Sequence, residues 1–150
     1  MPPPEFDSHG DLPIGVHQAS LDEVVVRFGH GTSQRQLVTS RLLRVHELAS
    51  STAKLARFII FGSYVTAKPD PNDVDIILVM RDDFREQESD EETAPVFHHL
   101  RAQPELGASI FWTAPCGVLL ETVDQFIEHW QIKRDHSRRG IVEVTLEKQR

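Results

Sequence analysis

A chain of 150 residues is long enough for one ordinary domain and too short for two. Its 39% hydrophobic content supplies a core, and no apolar run nears the roughly 20 residues that span a bilayer, which excludes a membrane protein of that kind. With 16 basic against 23 acidic side chains, a formal charge of -7, the surface repels nucleic-acid backbones on average; nonspecific DNA binding is not expected, but one phosphate-sized ligand is not forbidden. The start, Met-Pro-Pro-Pro-Glu, lacks a basic stretch followed by an apolar one, so no secretion leader is read. A single cysteine, Cys116, excludes an internal disulfide and fits a reducing cytoplasm.

In chain order, residues 1–19 carry four of the nine prolines and no periodicity, and read as an extended arm before a single domain over 20–150. Ser20-Leu21-Asp22-Glu23 is a capping box that opens a short helix stopped at Gly29 or Gly31. Thr32 or Ser33 caps a longer helix whose Leu37, Val38, Leu42, Val45, Leu48 and Ala49 recur at three- and four-residue steps. Phe58-Ile59-Ile60-Phe61 is a short apolar run ended by glycine, as in a buried strand. Pro69 and Pro71 keep the segment from Ala67 to Asn72 out of a helix. A strand then runs from Asp73 to Met80, followed by a solvated acidic loop from Asp82 to Glu92. Residues 93–103 read as a helix and Ala108 to Thr113 as a strand. Leu119 to Ile132 is helical, with Leu120, Val123, Phe126, Ile127 and Trp130 on one stripe, and Ile141 to Leu146 is the last strand. Helices and strands mixed over a small sheet indicate an α/β (α+β) fold.

The chemistry concentrates where two of these strands face each other. Phe61-Gly62-Ser63 ends one strand, Asp73-Val74-Asp75 begins the next, and nine residues separate Ser63 from Asp73. Residues at i and i+2 of a strand share a face, so Asp73 and Asp75 set two carboxylates side by side. Adjacent anions raise each other's pKa unless a cation lies between them. Mg²⁺ (or Mn²⁺) suits this arrangement, as a hard ion taking oxygens from one or two carboxylates plus substrate phosphates. Gly62 lets backbone approach a ligand closely, and Ser63 adds a hydroxyl donor.

The string from Phe61 to Ile76 resembles the nucleotidyltransferase superfamily, the polymerase-beta-like fold. Its signature is an apolar residue, Gly, then Gly or Ser, a spacer, and an Asp-apolar-Asp strand. The wider context, from Leu12-Pro13-Ile14-Gly15-Val16-His17 to Arg139-Gly140-Ile141-Val142-Glu143, looks like a small bacterial branch of it. The resemblance implies a small mixed sheet flanked by helices. It implies transfer of a nucleoside monophosphate from a nucleoside triphosphate, ATP among them, to an acceptor hydroxyl on protein, RNA or a small molecule. Asp73 and Asp75 would then be the catalytic, metal-holding pair, with Gly62, Ser63 and Lys68 on the nucleotide. Active members carry a third carboxylate on the next strand; here Ser109 stands at that place, and Glu143 on the last strand is the candidate replacement.

Lys133-Arg134 and Arg138-Arg139 make a basic turn in an acidic protein. Lys133, Arg134 and Arg139 are candidate phosphate contacts, or equally cations that complement a preceding helix C-terminus. The eight histidines show no metal-binding spacing, no nucleophile elbow or P-loop is present, and Trp112, Trp130 and Phe126 read as core. Two function classes follow: a Mg²⁺-dependent nucleotidyltransferase, or a catalytically degenerate fold serving as a protein-interaction or toxin–antitoxin-type module with a protein partner.

Overall fold

A computed structural model describes residues 2–115, 122–133 and 137–146. Five strands form one mixed sheet: β1 (Val16–Ala19), β2 (Leu55–Phe61), β3 (Val74–Met80), β4 (Ala108–Thr113) and β5 (Ile141–Val144), in the order β1-β5-β2-β3-β4. The β1–β5 and β3–β4 pairs are parallel, and β2 runs antiparallel to both β3 and β5. The helices are α1 (Leu21–Phe28), α2 (Ser33–Ser51), α3 (His99–Leu106) and α4 (Val123–Glu128) among the described residues. The chain is thus a mixed α/β protein. None of these helices is long and apolar enough to cross a membrane.

The helix starts are local chemistry. Ser20 and Glu23 close the expected capping box on α1, and the Thr32 hydroxyl accepts from the Arg35 N–H at the start of α2. Core positions on α1 to α3, among them Val24, Val38, Leu42 and Ala102, bury against one face of the sheet through Phe58, Ile60, Ile76, Leu78 and Val142. The other face carries Ile59, Ile77, Val79 and Ile141, covered by Ile127 and flanked by Val123, Phe126 and Trp130 of the α4 stripe. Both faces of β2 and β3 are covered, so both strands read as continuous apolar runs rather than alternating ones.

Several expectations need correction. Residues 16–19 are not part of an extended arm but β1, pairing in register from Val16↔Ile141 to Ala19↔Val144. Four residues with two polar side chains give no local pattern, and β5 recruits them by presenting an open edge. The helix expected over 93–103 divides into a 3₁₀ turn at Ala94–Phe97 and α3, because the chain bends at His98. β3 begins at Val74 and leaves Asp73 in the preceding bend, the last strand ends at Val144, and α4 passes into a 3₁₀ turn at His129–Gln131; the expected first turn at 119–121 lies outside the described residues.

Candidate functional site

β2 ends at Phe61, and Gly62 then takes φ 79° and ψ -164°, a region open essentially to glycine alone. Space forbids a side chain there as firmly as the torsions do. A Cβ on Gly62 would lie 2.0 Å from Oδ2 of Asp75. The ladder explains this approach: Asp75 on β3 is the partner of Phe61 on β2 and of Ser109 on β4. Asp73 precedes β3 by one residue. Both carboxylates are half-buried, and neither accepts a hydrogen bond from a described residue.

Electrostatics follow from that geometry. Burial pushes the Asp75 carboxyl up from 3.8 to about 6, the Asp73 charge adds to the rise, and Arg139 opposes it. Burial also raises Asp73, against the pull of Arg41, whose side chain lies across Gly107 at the end of α3. Each aspartate therefore feels one cation without being ion-paired to it among the described residues. The two repel as the sequence spacing predicts.

The loop that delivers these groups is held by a residue that sequence reasoning missed. Arg35, in the first turn of α2, is 6% exposed and spends its guanidinium on backbone carbonyls. Nη1 donates to Phe28 (3.0 Å) and Tyr64 (2.9 Å), Nη2 to Thr66 and Lys68 (both 2.6 Å), and Nε to Lys68 (3.2 Å). Tyr64 is fully buried, its hydroxyl 2.6 Å from that of Thr39, and Gln34 donates to the Pro71 carbonyl. Three side chains of one helix thus fix the bend between Gly62 and Asp73. Among the described residues no carboxylate forms an ion pair with Arg35, and Asp70 acts on it only through its charge, so charge patterning in the sequence carries no sign of this clamp.

The remaining sequence candidates divide. Ser63 flanks Gly62, and its hydroxyl has no partner among the described residues. Lys68 is exposed; its carbonyl is held by Arg35 while its ammonium points to no described acid. Lys133 and Arg139 converge on Asp11, a nearly buried acid of the N-terminal segment, at 2.9 and 3.6 Å. They are not the free cations of a solvated turn. Arg134 lies outside the described residues. Ser109 does stand beside Asp75, as expected for the third-acid position. Glu143 is corrected: it shares the face of Asp75 but pairs with Ile59, one same-face step away, and Arg57 grips both its oxygens at 3.0 and 2.6 Å. Arg57 also holds Asp124 at 2.8 Å, which ties α4 to the sheet. No group of three or more acids, histidines or cysteines among the described residues is placed to hold a metal. The Trp112, Trp130 and Phe126 side chains pack against the core as expected, each from a half-buried position at its edge.

A stability prediction arises from Asp75. Its folded pKa, about 6, exceeds the ordinary 3.8, so the fold favours the protonated form. The contribution is largest below the unfolded value and is lost as pH rises through about 6. Unbound wild type is expected to lose on the order of 2 kcal/mol from this group between pH ~4 and ~7. Asp75→Asn should remove that loss. Urea unfolding of both proteins across this range checks it, since equal pH dependence in the two would contradict the burial of this charge.

A mixed five-stranded α/β domain with a desolvated aspartate pair at one strand end defines the class of molecule. The chain matches a family of unknown function (DUF6932) over residues 4–145 and belongs to it. No curated protein and no solved structure matches it.

Proposed function

We propose that this chain is a Mg²⁺-dependent nucleotidyltransferase of the polymerase-beta-like kind, with a nucleoside triphosphate bound at the Asp73–Asp75 pair beside Gly62 and Ser63. The observation that carries the proposal is the pair itself: two half-buried carboxylates with no described hydrogen-bond donor, set against a glycine whose missing side chain leaves the space one of them fills. Leaving charges desolvated and unpaired is costly, and a divalent cation offsets that cost. The donor set fits Mg²⁺, which takes one or two protein carboxylates and completes its shell with phosphate and water. When bound, the ion would neutralise charge on the triphosphate and on the transferring phosphoryl group.

The chain's own residues do the rest. Gly62 leaves room for the Asp75 carboxylate against its backbone, Ser63 beside it offers a hydroxyl to a phosphate, and Arg139, whose charge reaches Asp75, attracts anions to this end of the sheet. The reaction forms a bond from an acceptor hydroxyl oxygen to the α-phosphorus and breaks the α–β bridge, so that pyrophosphate leaves. No third carboxylate stands beside the pair to take the acceptor proton among the described residues, because Ser109 lies next to Asp75 and Glu143 is tied to Arg57, so that proton passes to water.

That last observation favours a second reading, a fold that keeps the nucleotide and has lost transfer, serving as an interaction or toxin–antitoxin-type module. Calorimetry with Mg²⁺ and ATP tests the site: wild type binds, and Asp73→Asn with Asp75→Asn abolishes binding. Equal affinity in the two proteins would refute the metal–nucleotide site. Incubation with α-labelled triphosphates and a cell extract then separates the readings. Label on an acceptor, absent with the double variant, establishes transfer; binding without label establishes the degenerate module.

A further inference from the structure

The face of the sheet that carries Asp75 has two kinds of lining. Its fully buried part is aliphatic: Ile59, Ile77, Val79, Ile127 and Ile141. Its half-exposed part is aromatic and lies at the aspartate end. Trp130 packs with its centroid 4.8 Å from both Phe61 and Phe111, which are 6.3 Å apart, and His99 stacks on Phe111 at 4.5 Å and 29°. Register sets how close this wall comes to the carboxylates. Phe61 is the direct β2 partner of Asp75, one strand spacing or about 4.8 Å away in backbone. Phe111 is one same-face step along β4 from Ser109, the other partner of Asp75.

Packing alone does not account for Trp130. Trp112, packed against Phe84 and Phe97, donates its indole N–H to the Phe97 carbonyl at 3.0 Å. The Trp130 indole donates to no described acceptor, and its ring stays half-exposed. Tryptophan placed with one face on a core and a donor left over is suited to a ligand with a flat ring and polar edges.

Resting on the reading above, we propose that Phe61, Phe111 and Trp130 form the base shelf of the site, so that a nucleoside triphosphate bound at Asp73 and Asp75 lays its nucleobase on this wall. Recognition is by stacking, which every base satisfies, rather than by a hydrogen-bonding code. Adenine and guanine are accepted with similar affinity, and the base contributes binding that the phosphates alone lack.

The comparison of ATP and GTP with inorganic tripolyphosphate, each with Mg²⁺ and titrated into wild type by calorimetry, tests this. Both nucleotides are expected to bind roughly tenfold or more tightly than tripolyphosphate. Phe111→Leu and Trp130→Leu should each bring ATP close to tripolyphosphate while leaving tripolyphosphate itself unchanged. Because Trp112 and Trp130 are the only two tryptophans, Trp112→Phe isolates the Trp130 fluorescence, which ATP should quench and tripolyphosphate should not. Equal affinity of wild type for ATP and tripolyphosphate overturns the shelf and leaves the metal–phosphate site standing. Failure of every probe to bind overturns both. The wild-type comparison decides even where a variant fails to fold.

Discussion

Gly62→Ala is expected to lower the melting temperature by about 10 °C and, under the function proposed above, to abolish binding of Mg²⁺ with ATP. Two effects combine. A φ of 79° with extended ψ is strained for any residue bearing a Cβ, by about 1–3 kcal/mol. The new methyl would also lie 2.0 Å from Oδ2 and 3.0 Å from Cγ of Asp75, so the carboxylate or the β2–β3 ladder must shift. A total near 3–4 kcal/mol corresponds to that temperature change in a domain of this size. A double-mutant cycle separates the terms: on an Asp75→Ala background the carboxylate clash is gone and only a 3.3 Å contact with Cβ remains, so Gly62→Ala should cost about half as much. Additive costs measured by thermal unfolding would mean that the two residues do not press on each other.

Arg35→Met carries the second large effect, an expected loss of about 3–5 kcal/mol. The guanidinium is nearly buried and donates to four carbonyls drawn from the end of α1 and from the loop between Gly62 and Asp73. Methionine fills much of the volume but leaves those carbonyls without that donor, in a place water reaches poorly. Arg35→Lys should recover part of the loss and no more, because a point ammonium cannot serve carbonyls spread over a planar fork. Loop geometry should loosen along with stability: hydrogen exchange at Thr66 and Lys68 is expected to rise more in Arg35→Met than exchange in β2. Uniform acceleration across the chain would instead mean that Arg35 supports the fold generally rather than this bend.

The aspartate pair illustrates how far a short motif reaches. Asp75 pairs with Phe61, and Gly62 follows Phe61, so the meeting of Gly62 and Asp75 needed only that β2 and β3 pair, whereas Asp73 lies one residue before β3, where strand parity no longer holds. That pairing is a local event, antiparallel and joined by a single loop. Glu143 shows the opposite case. It shares a face with Asp75, yet its register with Ile59 and its capture by Arg57 depend on where β5 enters the sheet, 86 residues from that arginine. Nothing near Glu143 in the chain announces either. Lys133 and Arg139 were visible as a basic turn, and their common partner Asp11 was not, because it arrives from the far end of the sequence.

The sequence by itself determined the α/β class, the capping of α1 and α2, the apolar runs of β2 and β3, and the approach of Gly62 to Asp75, since each rests on periodicity or spacing along a short stretch of chain. Tertiary structure alone decided β1, the carbonyl clamp of Arg35, the confinement of Glu143 and the aromatic wall of Phe61, Phe111 and Trp130. The physical reason is common to them. Hydrogen bonds to backbone carbonyls, recruitment of a weak strand by an open edge, and packing of rings from three separate elements depend on distances that only the folded chain creates, so no local pattern of residue types encodes them.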